Sequence, residues 1–252
     1  MLPAERHRAI VQLVNTKGSI RVKELSQILA VTEETVRRDL DRLEAEYKIR
    51  RSHGGAVRVD EEPGEVSYLQ RESENVAEKQ AIAREAVRYI TPNESIILDA
   101  SSTAWHVALI LPNVPVTVLT NSLKVALELS SRDRVEVISA GGILRAGSLS
   151  SVGPVTEGTL GQFHVNRAFL SFKGIHTEYG ISESNALQAL VKRKMIDIAD
   201  EVYLLADHSK IQVRDLTRVA SLGEIDVLIT DKGASQEHLS AIGDFHIQVI
   251  QV

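Results

Sequence analysis

The sequence predicts an α/β protein, with a small helical N-terminal domain followed by a larger Rossmann-like domain built on a mainly parallel sheet. From about residue 91 onward, short apolar runs with strand composition alternate with helical stretches, which is the pattern of βαβ units. Only 4% of the residues are aromatic, so the core must be aliphatic, as in parallel strands that are buried on both faces. The first 58 residues differ, with three amphipathic helices and two short strands.

The three N-terminal helices are predicted from apolar residues at helical spacing, over residues 3–16, 22–29 and 33–46. Thr32 has the character of an N-cap for the third helix, because carboxylates follow it in the first turn, where the helix dipole favours them. Residues 48–51 and 56–59 are predicted as strands around a tight turn at His53-Gly54-Gly55. Three helices and a hairpin in this order indicate a winged helix-turn-helix, which we assign to residues 1–58.

The distribution of charge favours nucleic acid as the partner of this first domain. Residues 1–58 hold 12 Lys and Arg against 8 Asp and Glu, whereas the rest of the chain holds 17 against 26. In a winged helix the third helix enters the major groove, and here Thr35, Arg37 and Arg38 project away from its apolar face. The alternative is a solvated helix whose arginines pair with Asp39 and Asp41. The basic hairpin at the wing position favours DNA.

A change in composition follows the hairpin. Residues 59–75 begin as a polar, acidic stretch with a Pro-Gly pair and are predicted as a linker. Residues 76–252 form the second domain, which begins with an amphipathic helix over residues 76–90. Its predicted strands cover residues 96–98, 116–119, 135–138, 168–172, 202–206, 227–230 and 247–250. Further predicted helices cover residues 103–111, 123–129, 186–199 and 236–242.

The loop after the first of these strands is a candidate anion site. Asp99 ends the strand, and Ser101, Ser102 and Thr103 open the next helix. Backbone N–H groups at a helix N-terminus, joined by hydroxyls, make a cradle for phosphate. Helix capping is the alternative reading, but capping needs one hydroxyl and three follow one another here.

Polar residues or glycines follow four other predicted strands. Ligands of open α/β sheets bind beyond the carboxyl ends of the strands, so these loops are expected to converge on one pocket. Glycine lets the backbone approach a ligand closely, and two lysines supply positive charge to an acidic domain. Ordinary turn chemistry explains each loop equally well, and the interpretation depends on the joint pattern. The residues are Asn121, Ser122, Gly141, Gly142, Lys173, Gly174, Asp207 and Lys210.

The N-terminal segment resembles the DeoR family of bacterial sugar-metabolism repressors. The most specific parts are the run TVRRDL at residues 35–40 and the glycine pair Gly54-Gly55. In that family the head binds operator DNA and the C-terminal domain binds an inducer. The resemblance implies nine DNA-contact residues: Ser26, Thr32, Thr35, Arg37, Arg38, Arg42, Arg50, Arg51 and His53.

The second half is similar to the C-terminal domain of the same family, which is itself similar to ribose-5-phosphate isomerase and glucosamine-6-phosphate deaminase. The matching stretches are residues 99–103, 120–122, 140–142, 151–153, 168–174 and 206–210. This resemblance implies a phosphorylated sugar as the effector, with residues 179–187 at its sugar end.

The functional interpretation is a repressor of a carbohydrate-utilisation operon, released from double-stranded operator DNA by a phosphorylated sugar. An active isomerase or deaminase with a DNA-binding head is the alternative. Sugar isomerisation needs a positioned base, however, and residues 168–174 offer Lys173 but no carboxylate. The sequence does not separate an activator from a repressor. DNA-binding heads of this size work in pairs on half-sites, so a homo-oligomer, either a dimer or a tetramer, is expected.

Composition limits the remaining classes of site. There is no cysteine, which excludes disulfides, thiolate metal sites and cysteine nucleophiles. The eight histidines show no zinc-like spacing, and we expect no metal, no cofactor and no catalytic residues. The first residues lack the apolar run of a signal peptide, and no stretch reaches the ~18 to 20 apolar residues of a membrane span. A cytoplasmic protein without a membrane partner is therefore expected.

Overall fold

A computed structural model describes residues 2–46, 48–52, 54–57 and 67–252. The chain divides into two compact units, residues 1–63 and 64–252. The described part of the predicted linker, residues 67–75, carries a short helix, Tyr68–Ser73. The domain limits at residues 58 and 75 stay predictions. In the described part of the chain, no helix is long and apolar enough to cross a membrane.

The N-terminal unit packs three helices against a small antiparallel sheet. Its elements are α1 (Pro3–Lys17), β1 (Ser19–Arg21), α2 (Val22–Leu29), α3 (Glu33–Ala45), β2 (Arg50–Ser52) and β3 (Gly55–Val57). Strand β3 lies between β1 and β2. A Cβ atom on Gly55 would lie 2.2 Å from the carbonyl oxygen of Ile20, so the pairing of β3 with β1 needs glycine there. Strand β1 was not predicted from sequence, because three residues are too few to show a period.

The predicted helix-turn-helix is confirmed, with α2 and α3 at nearly their predicted limits. Ala30 takes a left-handed conformation in the turn between them. The Thr32 hydroxyl accepts a hydrogen bond from the Thr35 backbone N–H at 3.2 Å, which confirms the predicted N-cap. Val36, Leu40 and Leu43 of α3 are fully buried in the core of the unit.

The C-terminal unit alternates strands and helices. Its helices are α4 (Tyr68–Ser73), α5 (Val76–Ala86), α6 (Ser102–Ile110), α7 (Leu123–Leu129), α8 (Pro154–Leu160), α9 (Ala186–Asp197) and α10 (Gln236–Gly243). Its strands are β4 (Ser95–Leu98), β5 (Val116–Thr120), β6 (Val135–Ser139), β7 (Ile143–Arg145), β8 (Ser150–Val152), β9 (Val165–Leu170), β10 (Gly174–His176), β11 (Gly180–Glu183), β12 (Ala199–Ala206), β13 (Thr217–Ala220), β14 (Val227–Thr230) and β15 (Gln248–Gln251).

The central sheet has seven strands in the order β15-β14-β12-β9-β4-β5-β6, and all neighbouring pairs are parallel. The seven strands predicted from apolar runs are the seven strands of this sheet. One apolar cluster, which includes Ile82, Val107 and Val125, packs α5 to α7 on one face. A second cluster, which includes Leu160 and Met195, packs α8 to α10 on the other. The fold is thus a Rossmann-like three-layer α/β domain.

The strand order reverses between β4 and β9. The chain runs outward from β4 through β5 to β6, then returns to the other side of β4 and runs outward again through β9, β12, β14 and β15. The loops that leave β4 and β9 therefore diverge, and their carboxyl ends border a crevice. Two small antiparallel sheets, β7-β8 and β10-β11-β13, complete the unit and were not predicted from sequence.

Candidate functional site

An open cleft lies at the carboxyl ends of β4, β9 and β12, beside the point where the strand order reverses. Parallel strands bring these three loops to one edge of the sheet, whereas five loops were expected to converge there. The predicted effector residues that line the cleft are Ser101, Ser102, Thr103, Lys173, Asp207 and Lys210.

The hydroxyl groups in the loop after β4 have different hydrogen-bond partners. The Ser101 hydroxyl caps α6 by accepting a hydrogen bond from the Ala104 N–H at 3.0 Å. The Ser102 hydroxyl instead donates to the main-chain carbonyl of Arg71 at 3.3 Å. Thr103 is buried beside them at the start of α6. Capping thus uses one of the three side chains, and two others stand at a helix N-terminus that faces the cleft.

Two lysines bring positive charge to the cleft. Among the described residues, neither Lys173 nor Lys210 has a hydrogen-bond acceptor or a carboxylate partner for its ammonium group. Burial, reinforced by the nearby charges of Arg71 and Lys210, lowers the pKa of Lys173 to about 8. An anion in the cleft would offset the cost of holding these charges out of water.

Beneath the cleft lies a buried ionic cluster of Asp99, Glu183 and Lys192. The Lys192 ammonium lies 2.5 Å from the Glu183 carboxylate and 3.3 Å from Asp99, and it also donates to the Ser171 carbonyl. Asp99 is fully buried and accepts hydrogen bonds from the N–H groups of Ser101 and Ser171 at 3.0 and 3.1 Å. Burial alone would lower the pKa of Lys192, but the two carboxylates raise it. The cluster therefore ties the β4 and β9 loops together.

One wall of the cleft is neutral and hydrogen-bonded. The Gln188 amide nitrogen donates to the hydroxyls of Ser148 and Ser150 at 2.9 and 2.6 Å, and the two hydroxyls are 2.8 Å apart. All three side chains are buried, and Gln188 and Ser148 line the cleft. An amide and hydroxyls fixed in this way suit the hydroxyl groups of a sugar.

Another part of the lining comes from α4, the start of α5 and the residues that join them. Arg71, Glu74, Asn75 and Lys79 line the cleft on this side. The Asn75 amide donates to the Asp207 carboxylate at 2.9 Å, and Ser209 donates to the same oxygen through its N–H at 3.0 Å. Asp207 is thereby held in place, and its charge is partly satisfied.

Five predicted residues lie away from the cleft and have structural roles. The Asn121 amide donates to the Ser151 carbonyl at 3.0 Å, and the Ser122 hydroxyl caps α7. Gly141 and Gly142 form a turn in which a Cβ on Gly142 would lie 2.1 Å from the Thr156 hydroxyl. A Cβ on Gly174 would lie 2.4 Å from the Val213 carbonyl oxygen. These residues allow close packing of the chain. The residues concerned are Asn121, Ser122, Gly141, Gly142 and Gly174.

Several residues that line the cleft were not found from the sequence. They are Arg71, Glu74, Asn75, Lys79, Ala100, Ser148, Ser171, Phe172, Gln188 and Lys192, and Glu183 was expected only as part of segment 179–187. Five of them lie within helices or in the loop before β8, away from strand ends: Arg71, Lys79, Ser148, Gln188 and Lys192. The sequence contains one weak sign of Lys192. It lies one turn after Gln188 on the inward face of α9, where the other residues are apolar.

In the N-terminal unit, the exposed face of α3 carries the arginines expected to meet DNA. The side chains of Arg38 and Arg42 are 77% and 71% exposed and lie one helical turn apart. Arg37 and Arg38 contact Glu33 and Glu34, at distances from 2.9 to 3.9 Å, and do not pair with Asp39 or Asp41. Among the remaining predicted contact residues, Thr32 is exposed, Ser26 and Thr35 are partly exposed, and Arg50 is exposed on β2.

The hairpin is fixed to α3 by Arg51. Its guanidinium donates to the Arg37 carbonyl at 3.0 Å and to the Asp41 carboxylate at 2.9 Å. Arg51 thus positions the hairpin against the helix. His53, the last predicted DNA contact, lies outside the described residues, as do Arg58 and Val59 of the predicted second strand.

Asp39 is buried on the opposite side of α3 and holds α1 to it. Its carboxylate accepts hydrogen bonds from Arg6 at 2.5 and 3.1 Å and contacts His7 at 2.9 Å. Burial alone would raise the pKa of Asp39, but the hydrogen bonds from Arg6 and His7 lower it. Within the described ranges, no group of three His, Asp or Glu side chains is placed to hold a metal ion.

Comparison with known proteins places both units in one family. Residues 6–62 match the model of the DeoR-like helix-turn-helix domain, and residues 74–232 match the DeoR C-terminal sensor domain. The chain is 49% identical over 252 residues to the HTH-type transcriptional regulator YulB of Bacillus subtilis. The alignment covers 100% of this chain and 98% of YulB. The chain is also 36% identical over 227 residues to the L-fucose operon activator of Haemophilus influenzae, covering 90% and 91%.

Among solved structures, ribose 5-phosphate isomerase A of Methanocaldococcus jannaschii matches 54% of this chain and 55% of its own, at 17% identity and a TM-score of 0.41. That likeness is distant. The two family matches and the full-length identity to YulB settle the family. This chain belongs to the DeoR family of transcriptional regulators.

Proposed function

We propose that this regulator represses a carbohydrate-utilisation operon in the cytoplasm and leaves its operator when a phosphorylated sugar binds in the cleft. The supporting observation is the arrangement of Ser102, Thr103, Lys173 and Lys210 around the N-terminus of α6. These groups donate hydrogen bonds and carry positive charge, which suits a phosphate dianion in a partly desolvated site. The neutral wall of Gln188 and Ser148 is assigned to the sugar.

The exposed face of α3 is assigned to the major groove of operator DNA. Arg38 and Arg42 extend from it without strong pairing to the protein, so they are available for guanine edges or phosphates. Ser26, Thr32, Thr35, Arg37, Arg50 and His53 are assigned to the rest of the contact, and Arg51 is assigned to positioning the hairpin. A homo-oligomer would present two heads to two half-sites.

Binding without catalysis is the better account of the cleft. A sugar isomerase needs a carboxylate free to accept a proton from substrate. Here Asp99 and Glu183 are paired with Lys192, and Asp207 accepts hydrogen bonds from Asn75 and Ser209. These three carboxylates therefore already have partners.

The direction of regulation needs its own test, because one relative at 36% identity is named as an activator. Transcription of the genes that this regulator controls should rise in a strain that lacks it. A fall in transcription would make it an activator. Either result leaves the sensor assignment unchanged.

The sensor assignment is tested by a thermal-shift screen of phosphorylated sugars, since a ligand that binds only the folded state raises the melting temperature. The best compound and its unphosphorylated form are then compared by calorimetry on the parent, Ser102→Ala and Lys210→Ala, with Lys232→Ala as control. Lys232 is exposed and lies outside the cleft. The two cleft variants should lose affinity for the phosphorylated form and stay on DNA. Equal affinity of the parent for both forms would refute the phosphate site.

A further inference from the structure

Helix α4 is the first helix described in the C-terminal unit. The N-terminal unit ends at Pro63, and α4 begins at Tyr68. Tyr68 is buried, and its N–H donates to the Gly147 carbonyl at 2.7 Å. Glu72 of α4 also forms an ion pair of 2.7 Å with Lys124 of α7. The first element of the sensor unit is therefore packed firmly against it.

The C-terminal end of α4 is held by two groups of the cleft. The last carbonyls of a helix have no partner within the helix and need donors from elsewhere. The Lys79 ammonium donates to the carbonyls of Arg71 and Glu74, the latter at 2.6 Å. The Ser102 hydroxyl donates to the same Arg71 carbonyl at 3.3 Å. Lys79 and Ser102 both line the cleft.

These two donors have a better partner in an anion than in a carbonyl. Lys79 is 4% exposed, and the acceptors within hydrogen-bond distance are neutral carbonyls. Burial lowers the pKa of Lys79, although the nearby Asp207 carboxylate offsets part of the cost of holding the ammonium out of water. Charge-assisted hydrogen bonds to phosphate are about twice as strong as bonds between neutral groups. A phosphate and the end of α4 therefore compete for the same donors.

We propose that α4 is a latch: a phosphate in the cleft takes Lys79 and Ser102 from the Arg71 carbonyl and loosens α4, and this change passes along the chain toward the DNA-binding unit. This inference rests on the proposed phosphate site and adds how its occupation is transmitted. By linkage, a change that loosens α4 and leaves the phosphate-binding groups in place must also strengthen phosphate binding.

The first test is hydrogen exchange, followed by mass spectrometry, on the full chain. Inorganic phosphate and glucose 6-phosphate serve as probes, with binding verified by calorimetry. Residues 68–75 should exchange several-fold faster at saturation, while α9 should not. Binding with unchanged or slower exchange over residues 68–75 would overturn the latch and leave the proposed function standing. No binding of any phosphate compound would overturn both.

The second test uses Lys124→Met, which removes the ion pair between α7 and α4 outside the cleft. The latch predicts tighter phosphate binding, by up to about fivefold, the range that a part-exposed ion pair supplies. Simple electrostatics predicts the opposite sign, because the variant loses a positive charge near an anion site. The control Lys232→Met loses the same charge from an exposed turn and should bind phosphate as the parent does. Weaker or unchanged binding by Lys124→Met would contradict the latch.

Discussion

The pKa of Lys173 makes a quantitative prediction about ligand binding. Its value of about 8 in the free protein means that half of the molecules carry a neutral amine at pH 8. A phosphate dianion beside the amine would stabilise its charged form and raise the pKa again. Binding should therefore take up a proton, about half a proton per ligand at pH 8.

The same linkage fixes the pH dependence of affinity. Above pH 7 the phosphate is almost fully dianionic, because its second pKa is about 6, so the lysine controls the profile. The association constant follows the protonated fraction of Lys173 and should fall by about tenfold between pH 7 and pH 9. Calorimetry in two buffers with different ionisation enthalpies measures both the affinity and the proton count.

Lys173→Met should bind the ligand more weakly at pH 7 and show a smaller pH dependence between pH 7 and 9. The exposed control Lys232→Met should keep the parent's profile. A parent affinity that stays flat from pH 7 to 9, or a proton uptake near zero at pH 8, would refute this account of Lys173.

The unliganded protein gives an independent check of the same shift. The folded-state pKa lies below the unfolded value, so the charged lysine costs stability below pH 8 and the cost fades as the pH rises toward 10.5. Because Lys173 is partly exposed, the cost is of order 1–2 kcal/mol. Lys173→Met should raise the free energy of unfolding by about this amount at pH 7 and by less at pH 10, as urea unfolding at the two pH values would show.

Three other predictions concern side chains whose contacts are equally specific. Arg38→Ala should weaken operator binding by ~1–3 kcal/mol in a gel-shift titration at fixed salt while leaving the melting temperature unchanged, because its side chain is 77% exposed; full affinity would remove Arg38 from the interface. Asp39→Ala should lower the free energy of unfolding of the N-terminal unit by ~2–4 kcal/mol in urea, because Arg6 and His7 lose their carboxylate partner. A loss below ~0.5 kcal/mol would contradict the role of Asp39 in holding α1 to α3. Gln188→Leu should weaken binding of the sugar phosphate about fivefold, as expected for one lost hydrogen bond, without changing the affinity for inorganic phosphate; an equal loss for both would place Gln188 at the phosphate end.

The main sheet was predictable because of how parallel strands are buried. Both faces of β4, β9, β12 and β14 are covered by helices. These strands are therefore nearly continuous apolar runs, which can be recognised from a few consecutive residues of the sequence. The hairpin β7-β8 lacks such a run: Ile143 and Leu144 are more than half exposed, and Ser150 is buried. Strand β10 is only three residues long, and contacts distant in sequence decide its conformation.

Ligands of open α/β sheets bind beyond the carboxyl ends of the strands, and this rule identified the three loops of the cleft. It could not say which residues of each loop face the cleft. After β4 and β9 the rule identified Ser102 and Lys173, because the chain turns into the crevice directly at those strand ends. After β5 and β6 the same rule picked Asn121 and Gly142, but these residues hold packed turns and do not line the cleft. There a polar side chain or a glycine closes a packed turn.

Two of the cleft residues that were not predicted from the sequence are lysines whose burial depends on partners in other elements. Lys192 is tolerated in the interior only because Asp99 and Glu183 arrive from two other elements, and Lys79 is buried because the end of α4 supplies carbonyls. A lysine on a helix gives no local sign of such a partner, since the same residue type is nearly always solvated. A buried lysine kept in this way carries a cost that a hydrophobic residue would avoid, so its presence points to a ligand that needs the charge. Three lysines that form no ion pair with a carboxylate of the described residues line this one cleft, which supports an anionic effector in a domain that is otherwise acidic: Lys79, Lys173 and Lys210.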